Sequence, residues 1–229
     1  TVCRRWAMSR RIVSISIAIV LPVSLSAQGT ATLYPTMAPV EQYRMDRAAE
    51  VALAKTAAPA SISDAAEVLV LGASGYETAV PGKNGFVCVV QRSWANDFSN
   101  QGEFWNPKVR APLCFNAAAA QSVLPDYLAR TKQALTGMAK AKMQAASLAT
   151  KPANGSMVYM LSKEGYLGDN VNGPWHPHLM LLFPRTPDAA WGANAAQSPV
   201  LEFDAPNAPF TTFLVPLSHW SDGSVDSAP

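Results

Sequence analysis

The chain has 229 residues, with 18 basic and 16 acidic side chains, three histidines and three cysteines. Only 15% of it is charged, and alanine, proline and glycine are plentiful, which suits one domain, two at most, with many turns. Residues 1–26 hold four arginines and no acid, so the remainder carries 14 basic against 16 acidic residues, and charge gives no case for nucleic acid as a partner.

Residues 1–27 read as a signal peptide. Met8 is the better start, with residues 1–7 upstream of it, and from there the text is "MSRRIVSISIAIVLPVSLSAQG". Arg10 and Arg11 make a basic n-region, Ile12 to Leu21 an apolar core, and Ser24, Ser26 and Ala27 suit a cleavage site. The apolar run is broken by Pro22 and falls short of the ~20 residues that span a bilayer, so no transmembrane segment is expected after cleavage. The expected destination is the periplasm or the exterior. Cys3 leaves with the leader. Cys88 and Cys114 remain as an even pair in an oxidising compartment and are expected to be joined, the alternative being two separate buried thiols.

Residues 28–60 read as an N-terminal arm and a helix. The arm covers 28–40. Glu41 to Ala58 places Met45, Ala48, Ala49, Ala52 and Leu53 at helical spacing, and Pro59 ends it. A single domain is expected over 61–225. Glu67 to Leu71 and Tyr76 to Val80 read as strands. After the turn formers of "PGKNG", Phe86 to Arg92 reads as a returning strand of a hairpin or meander, apolar on both faces and so central. Residues 94–116 look irregular and in need of aromatic packing and a Cys88–Cys114 bridge. Asn116 is an expected N-cap for Ala117 to Leu124. Asp126 to Thr136 continues as helix until Gly137, and Met138 to Thr150 forms another. Arg130, Lys132, Lys140, Lys142 and Lys151 make this region basic, as a solvated helix face would be. Met157 to Ser162, His178 to Phe183 and Thr211 to Leu217 are the last strands.

Strands, then helices, then strands point to an α+β fold, with a mainly antiparallel sheet and helices packed to one side. "EVLVLGASGYETAV" imitates a dinucleotide fingerprint. Yet Thr78 takes the third glycine position, and Pro81 and Gly82 forbid the long helix that would hold a pyrophosphate. No nucleotide cofactor is expected. No Gly-x-Ser-x-Gly, Walker A or His-Glu-x-x-His motif occurs.

The chemistry-bearing stretch is "PWHPHLMLLF". In an extended chain, His176 and His178 point to one side, and Met180 and Leu182 continue that face into a core. Trp175 would wall a pocket there. His219, in "LSHWSDG", follows another strand end. If these strands are neighbours, His176, His178 and His219 would share a site for a small molecule or for a divalent transition metal such as Zn. Glu164, Asp169 or Asp222 would then supply an oxygen ligand or base. Arg92 and Tyr159 are further candidates for ligand binding. The leading expectation is a small-ligand- or metal-binding domain. The alternatives are a metal-dependent or His-assisted hydrolase, and a structural envelope protein with no small-molecule site.

"GKNGFVCVVQRSW", "EFWNPKVRAPLCFN", "SKEGYLGD", "WHPHLM" and "HWSDG" together resemble a group of exported bacterial proteins without assigned activity, over about Ser61 to Gly223. The resemblance implies an exported single-domain protein and carries over no catalytic residue.

Overall fold

The computed structural model describes residues 33–95, 103–146, 150–169, 176–203 and 209–227. Among these, one eight-stranded sheet organises the fold. Its strands are β1 (Glu67–Leu71), β2 (Tyr76–Val80), β3 (Val87–Gln91), β4 (Ala111–Phe115), β5 (Met157–Met160), β6 (His178–Pro184), β7 (Leu201–Phe203) and β8 (Phe210–Pro216). They lie in the order β2-β1-β3-β4-β5-β6-β8-β7. Every neighbouring pair is antiparallel except β1 with β3. The helices are α1 (Arg47–Lys55), α2 (Ala60–Ser63), α3 (Ala117–Ser122), α4 (Leu124–Leu135) and α5 (Lys140–Ala145). The class is α+β. The signal peptide expected over residues 1–27 lies outside the described residues, among which no helix is long and apolar enough to cross a membrane.

Alternation along the central strands makes two cores. Leu69, Val89, Leu113, Phe115 and Val158 pack against Ala119, Val123 and Leu124 at the α3–α4 corner. On the other face Val68, Cys88, Val90 and Cys114 pack against Leu53 and Ala54 of α1. Helices therefore stand on both faces, not on one side. Central strands apolar in both registers need two covers, and one helical layer cannot supply both.

Tyr76 to Arg92 is not a hairpin. β2 pairs with β1 alone, and the connection after Val80 passes across the start of β1 to deliver β3 to its far side, in parallel. Lys83 N–H donates to Ala65 O (2.7 Å), and Glu67 N–H donates to Phe86 O (2.8 Å). Gly82 makes the crossing close: a Cβ there would lie 2.2 Å from the Glu67 nitrogen. The "PGKNG" glycine serves this backbone approach rather than a two-stranded turn.

β4 is a strand inside the segment expected to be irregular, and its Pro112 hid it. Cys88 and Cys114 lie directly opposite with Cα atoms 4.0 Å apart, the close spacing of a non-hydrogen-bonded pair. Pro112, opposite Val90, is two residues along and of the same kind. Its missing N–H faces β5, whose pairing with β4 begins only at Cys114. A proline in a central strand is thus accommodated without a lost ladder bond. The two cysteines form the expected disulfide, fully buried under α1.

The N-terminal segment belongs to the domain. Asp46 caps α1 through the Ala49 N–H (3.0 Å), so the helix begins later than its apolar spacing suggests; Val40–Gln42 is a separate 3-10 turn. Tyr34, Met37 and Ala38 pack on Tyr43, Trp94, Phe104 and Trp105, so the described part of the arm is docked. Inside, Arg92 ion-pairs with Glu50 (2.9 Å) and donates to Tyr43 O (2.7 Å). At the β2 border, Arg47 bonds Glu77 (2.5 Å) and the Thr78 carbonyl (3.2 Å). Asn116 caps α3 through Ala119 N–H (2.9 Å), and Gly137 follows α4 at φ +74°. Arg130 departs from the expected solvated face: it is buried and pairs with Asp126 (2.9 Å).

Candidate functional site

Strand direction gathers the chemistry-bearing segments. Gln91 faces Ala111, Met160 faces His178, and His178 faces Pro216. The ends of β3, β5 and β8 and the starts of β4 and β6 therefore share one end of the sheet. The segments leaving or entering there hold Arg92, Glu103 to Arg110, Ser162 to Asp169, His176 and Leu217 to Asp226. All three histidines come to this end, as neighbouring strands would require.

His176 is held by a residue the sequence reading passed over. Its Nδ1 lies 2.7 Å from Asp226 Oδ2, with the carboxylate side chain 10% exposed and the imidazole 42% exposed. The carboxylate accepts, so Nδ1 carries the proton, and in the neutral ring Nε2 is the atom with the lone pair. Nε2 has no hydrogen-bond partner among the described residues. Asp226 reaches this place because the chain after β8 doubles back. Trp220 N–H donates to Ser224 O (2.9 Å), Gly223 turns at φ +82°, and Asp226 N–H donates to Ser218 O (2.8 Å). Leu217 N–H, bonded to Pro177 O (2.8 Å), sets this return beside His176. The Asp222-Gly223 dipeptide is the one sequence signal for it.

The other histidines take other partners. His178 is buried, and its Nδ1–H donates to the His176 carbonyl (2.9 Å). Burial pushes its pKa below the ordinary 6.5. His219 is exposed, and its Nδ1 meets Ser218 Oγ at 2.8 Å. The three rings share a region without sharing a point. Among the described residues no group of three or more His, Cys, Asp or Glu side chains could hold a metal ion.

Two of the three carboxylates expected near the histidines are engaged elsewhere. Asp222 pairs with Lys163 (2.8 Å) and accepts from Ser224. Asp169 accepts from the hydroxyls of Tyr166 and Tyr34 and pairs with Lys108 (3.2 Å). Tyr166 first, then Tyr34, holds the Asp169 pKa down at about 2. Beneath it the buried Glu103 accepts from Asp169 N–H (3.0 Å) and Asn106 Nδ2 (2.5 Å). Glu164 lies in the same strand-end segment and is exposed.

Arg92 and Tyr159 are not brought to the histidines. Arg92 is completely buried, its guanidinium taken by Glu50, Tyr43 O and Val90 O, with β4 and β5 between β3 and β6. Tyr159 pairs with Leu179, whose side chain alternates with that of His178, so the phenol stands on the opposite face, against Phe86. Trp175 lies outside the described residues. Comparison of the chain with family models, with curated proteins and with solved structures finds no match.

Proposed function

We propose that the chain is an exported domain that binds a small organic ligand at the strand-end region around His176. The observation that carries this reading is the His176–Asp226 pair: a partly buried carboxylate fixes the tautomer of an open imidazole. Such an imidazole offers an acceptor of fixed direction to a ligand hydroxyl or amine. Export is supported by the leader pattern and by the intramolecular Cys88–Cys114 bridge. A transition metal in the same place would have to draw further ligands from outside the described residues.

The test is histidine-detected NMR of the ¹⁵N-labelled chain. His176 should report protonated Nδ1 and bare Nε2, and members of a polar fragment library should shift its ring signals saturably. Asp226→Asn should scramble the tautomer and weaken those shifts. A library that leaves the His176 ring untouched defeats the reading.

The same pair favours one second reading, a His-assisted hydrolase, because an imidazole oriented by a carboxylate is what general-base activation of water requires. Turnover of chromogenic esters that disappears in both His176→Ala and Asp226→Asn would establish it over simple binding.

A further inference from the structure

A second site lies away from the histidines, where β6 leaves the sheet. A groove of about 400 Å³ is lined there by Arg185, Thr186, Pro187, Asp188 and Glu202. That size falls within the roughly 300–1,000 Å³ of small-molecule sites. Its walls are tied down. Buried Thr211 accepts the Thr186 N–H (3.0 Å) and donates back to the Thr186 carbonyl (3.1 Å). On the facing side, Asn194 Oδ1 accepts the Glu202 N–H (3.1 Å).

Two geometric relations set an exposed indole, itself outside the lining, beside this groove. Asp188 and Trp191 are the first and last residues of one 3-10 turn, where side chains three apart eclipse. Glu202 is paired directly with Phe213, so both project to one face of the sheet. Trp191 stacks on that same Phe213, with centroids 5.2 Å apart and planes inclined 26°, and packs on Phe183 at 4.6 Å. Trp191 nevertheless keeps 42% of its surface exposed.

The geometry points to a binding site for a neutral saccharide, with Trp191 as stacking platform and Arg185, Asp188 and Glu202 as the hydroxyl-recognising groups. The mixed lining favours a ligand that offers donors and acceptors together, and the indole beside it favours a ring with a C–H face. A cation would need acceptors alone, and Arg185 opposes it; an anion would need donors alone, and Asp188 and Glu202 oppose it. Vicinal hydroxyls are donors and acceptors at once. A guanidinium has five N–H groups and a carboxylate about four lone-pair sites, so each serves a sugar while keeping intramolecular partners. The C–H face of a pyranose suits the apolar face of an indole, which is held flat by Phe183 and Phe213.

The experiment is titration of the ¹⁵N-labelled chain with maltotetraose, cellotetraose, chitotetraose and, separately, choline. The Trp191 indole N–H signal is identified by its loss in Trp191→Phe. At least one oligosaccharide should shift that signal saturably, and Glu202→Gln should weaken the interaction by roughly tenfold. Asp188→Asn, which alters a carboxylate that also bonds Ala189 N–H, should weaken it as well. A response to choline alone, no response to any of the three sugars, or unchanged affinity in a folded Glu202→Gln chain would each overturn the proposal.

Discussion

Glu50 Oε1 stands 2.9 Å from Arg92 Nη2 in an ion pair whose two side chains are at most 1% exposed. The carboxylate also accepts the Leu71 N–H (3.1 Å), so one acid joins α1, β1 and the end of β3. Removing it leaves a guanidinium in the interior without its counter-charge. Glu50→Ala should cost about 3–5 kcal/mol in urea unfolding, while a double replacement by apolar residues of similar volume should cost much less. Equal losses in the two variants would mean that packing, not charge, is what Glu50 supplies.

The disulfide closes a loop with a sequence separation of 26 residues between two buried sulfurs. In the chain-entropy account this contributes roughly 3–4 kcal/mol. Cys88→Ala/Cys114→Ala should lower the melting temperature accordingly. The folded wild-type chain should resist reductant until it is partly denatured, as thiol counting with and without urea will show.

Gly82→Ala should be among the most damaging single substitutions in the chain. The added methyl meets backbone, the Glu67 nitrogen at 2.2 Å, which cannot rotate aside. The expected loss exceeds about 3 kcal/mol, seen in denaturant melts or as failure to accumulate folded protein. Gly155, where an added Cβ meets nothing within 4 Å, is the control, although its φ of +77° carries its own strain.

His178 makes stability depend on pH near neutrality. Its folded pKa lies below the ordinary 6.5 because burial penalises the imidazolium. The unfolded chain therefore binds the proton more readily, and stability falls as pH drops through 6.5 towards the folded value. His178→Gln should flatten that part of the curve. Measurement of the urea midpoint between pH 7.5 and 5 decides it.

Asp169 sets a separate acid limb. With its pKa held at about 2, first by the Tyr166 hydroxyl, its contribution is present above the ordinary 3.8 and is lost as pH falls through about 2. Tyr166→Phe should raise the Asp169 carboxyl pKa, and Tyr34→Phe should raise it by less. Side-chain carboxyl ¹³C shifts followed against pH give both values.

Local chemistry made much of this fold legible. Asn116 and Gly137 mark their helix ends because a side-chain cap and a left-handed residue act within one turn. The apolar run after His178 became β6, and the cysteines paired. What escaped depends on distant partners. β7 has three residues, too few for any periodicity. β4 was masked by Pro112, whose tolerance follows from its register against β3. The crossing of β1 at Gly82 is a matter of which strand the next one meets. Asp226 was missed as the partner of His176 for the same reason: 50 positions separate them, and only the doubling-back at Gly223 closes the gap.

β2 is the border strand of the sheet, and such borders invite a neighbouring molecule to add its own strand. Here Arg47 already occupies the outward Thr78 carbonyl and draws Glu77 into an ion pair. A second chain approaching that rim finds an acceptor spoken for and a cation in its path. Among the described residues the opposite rim offers the three residues of β7. Growth of the sheet from molecule to molecule is thus discouraged at both ends, and Arg47→Ala is the change that would open one of them to fibre-like stacking.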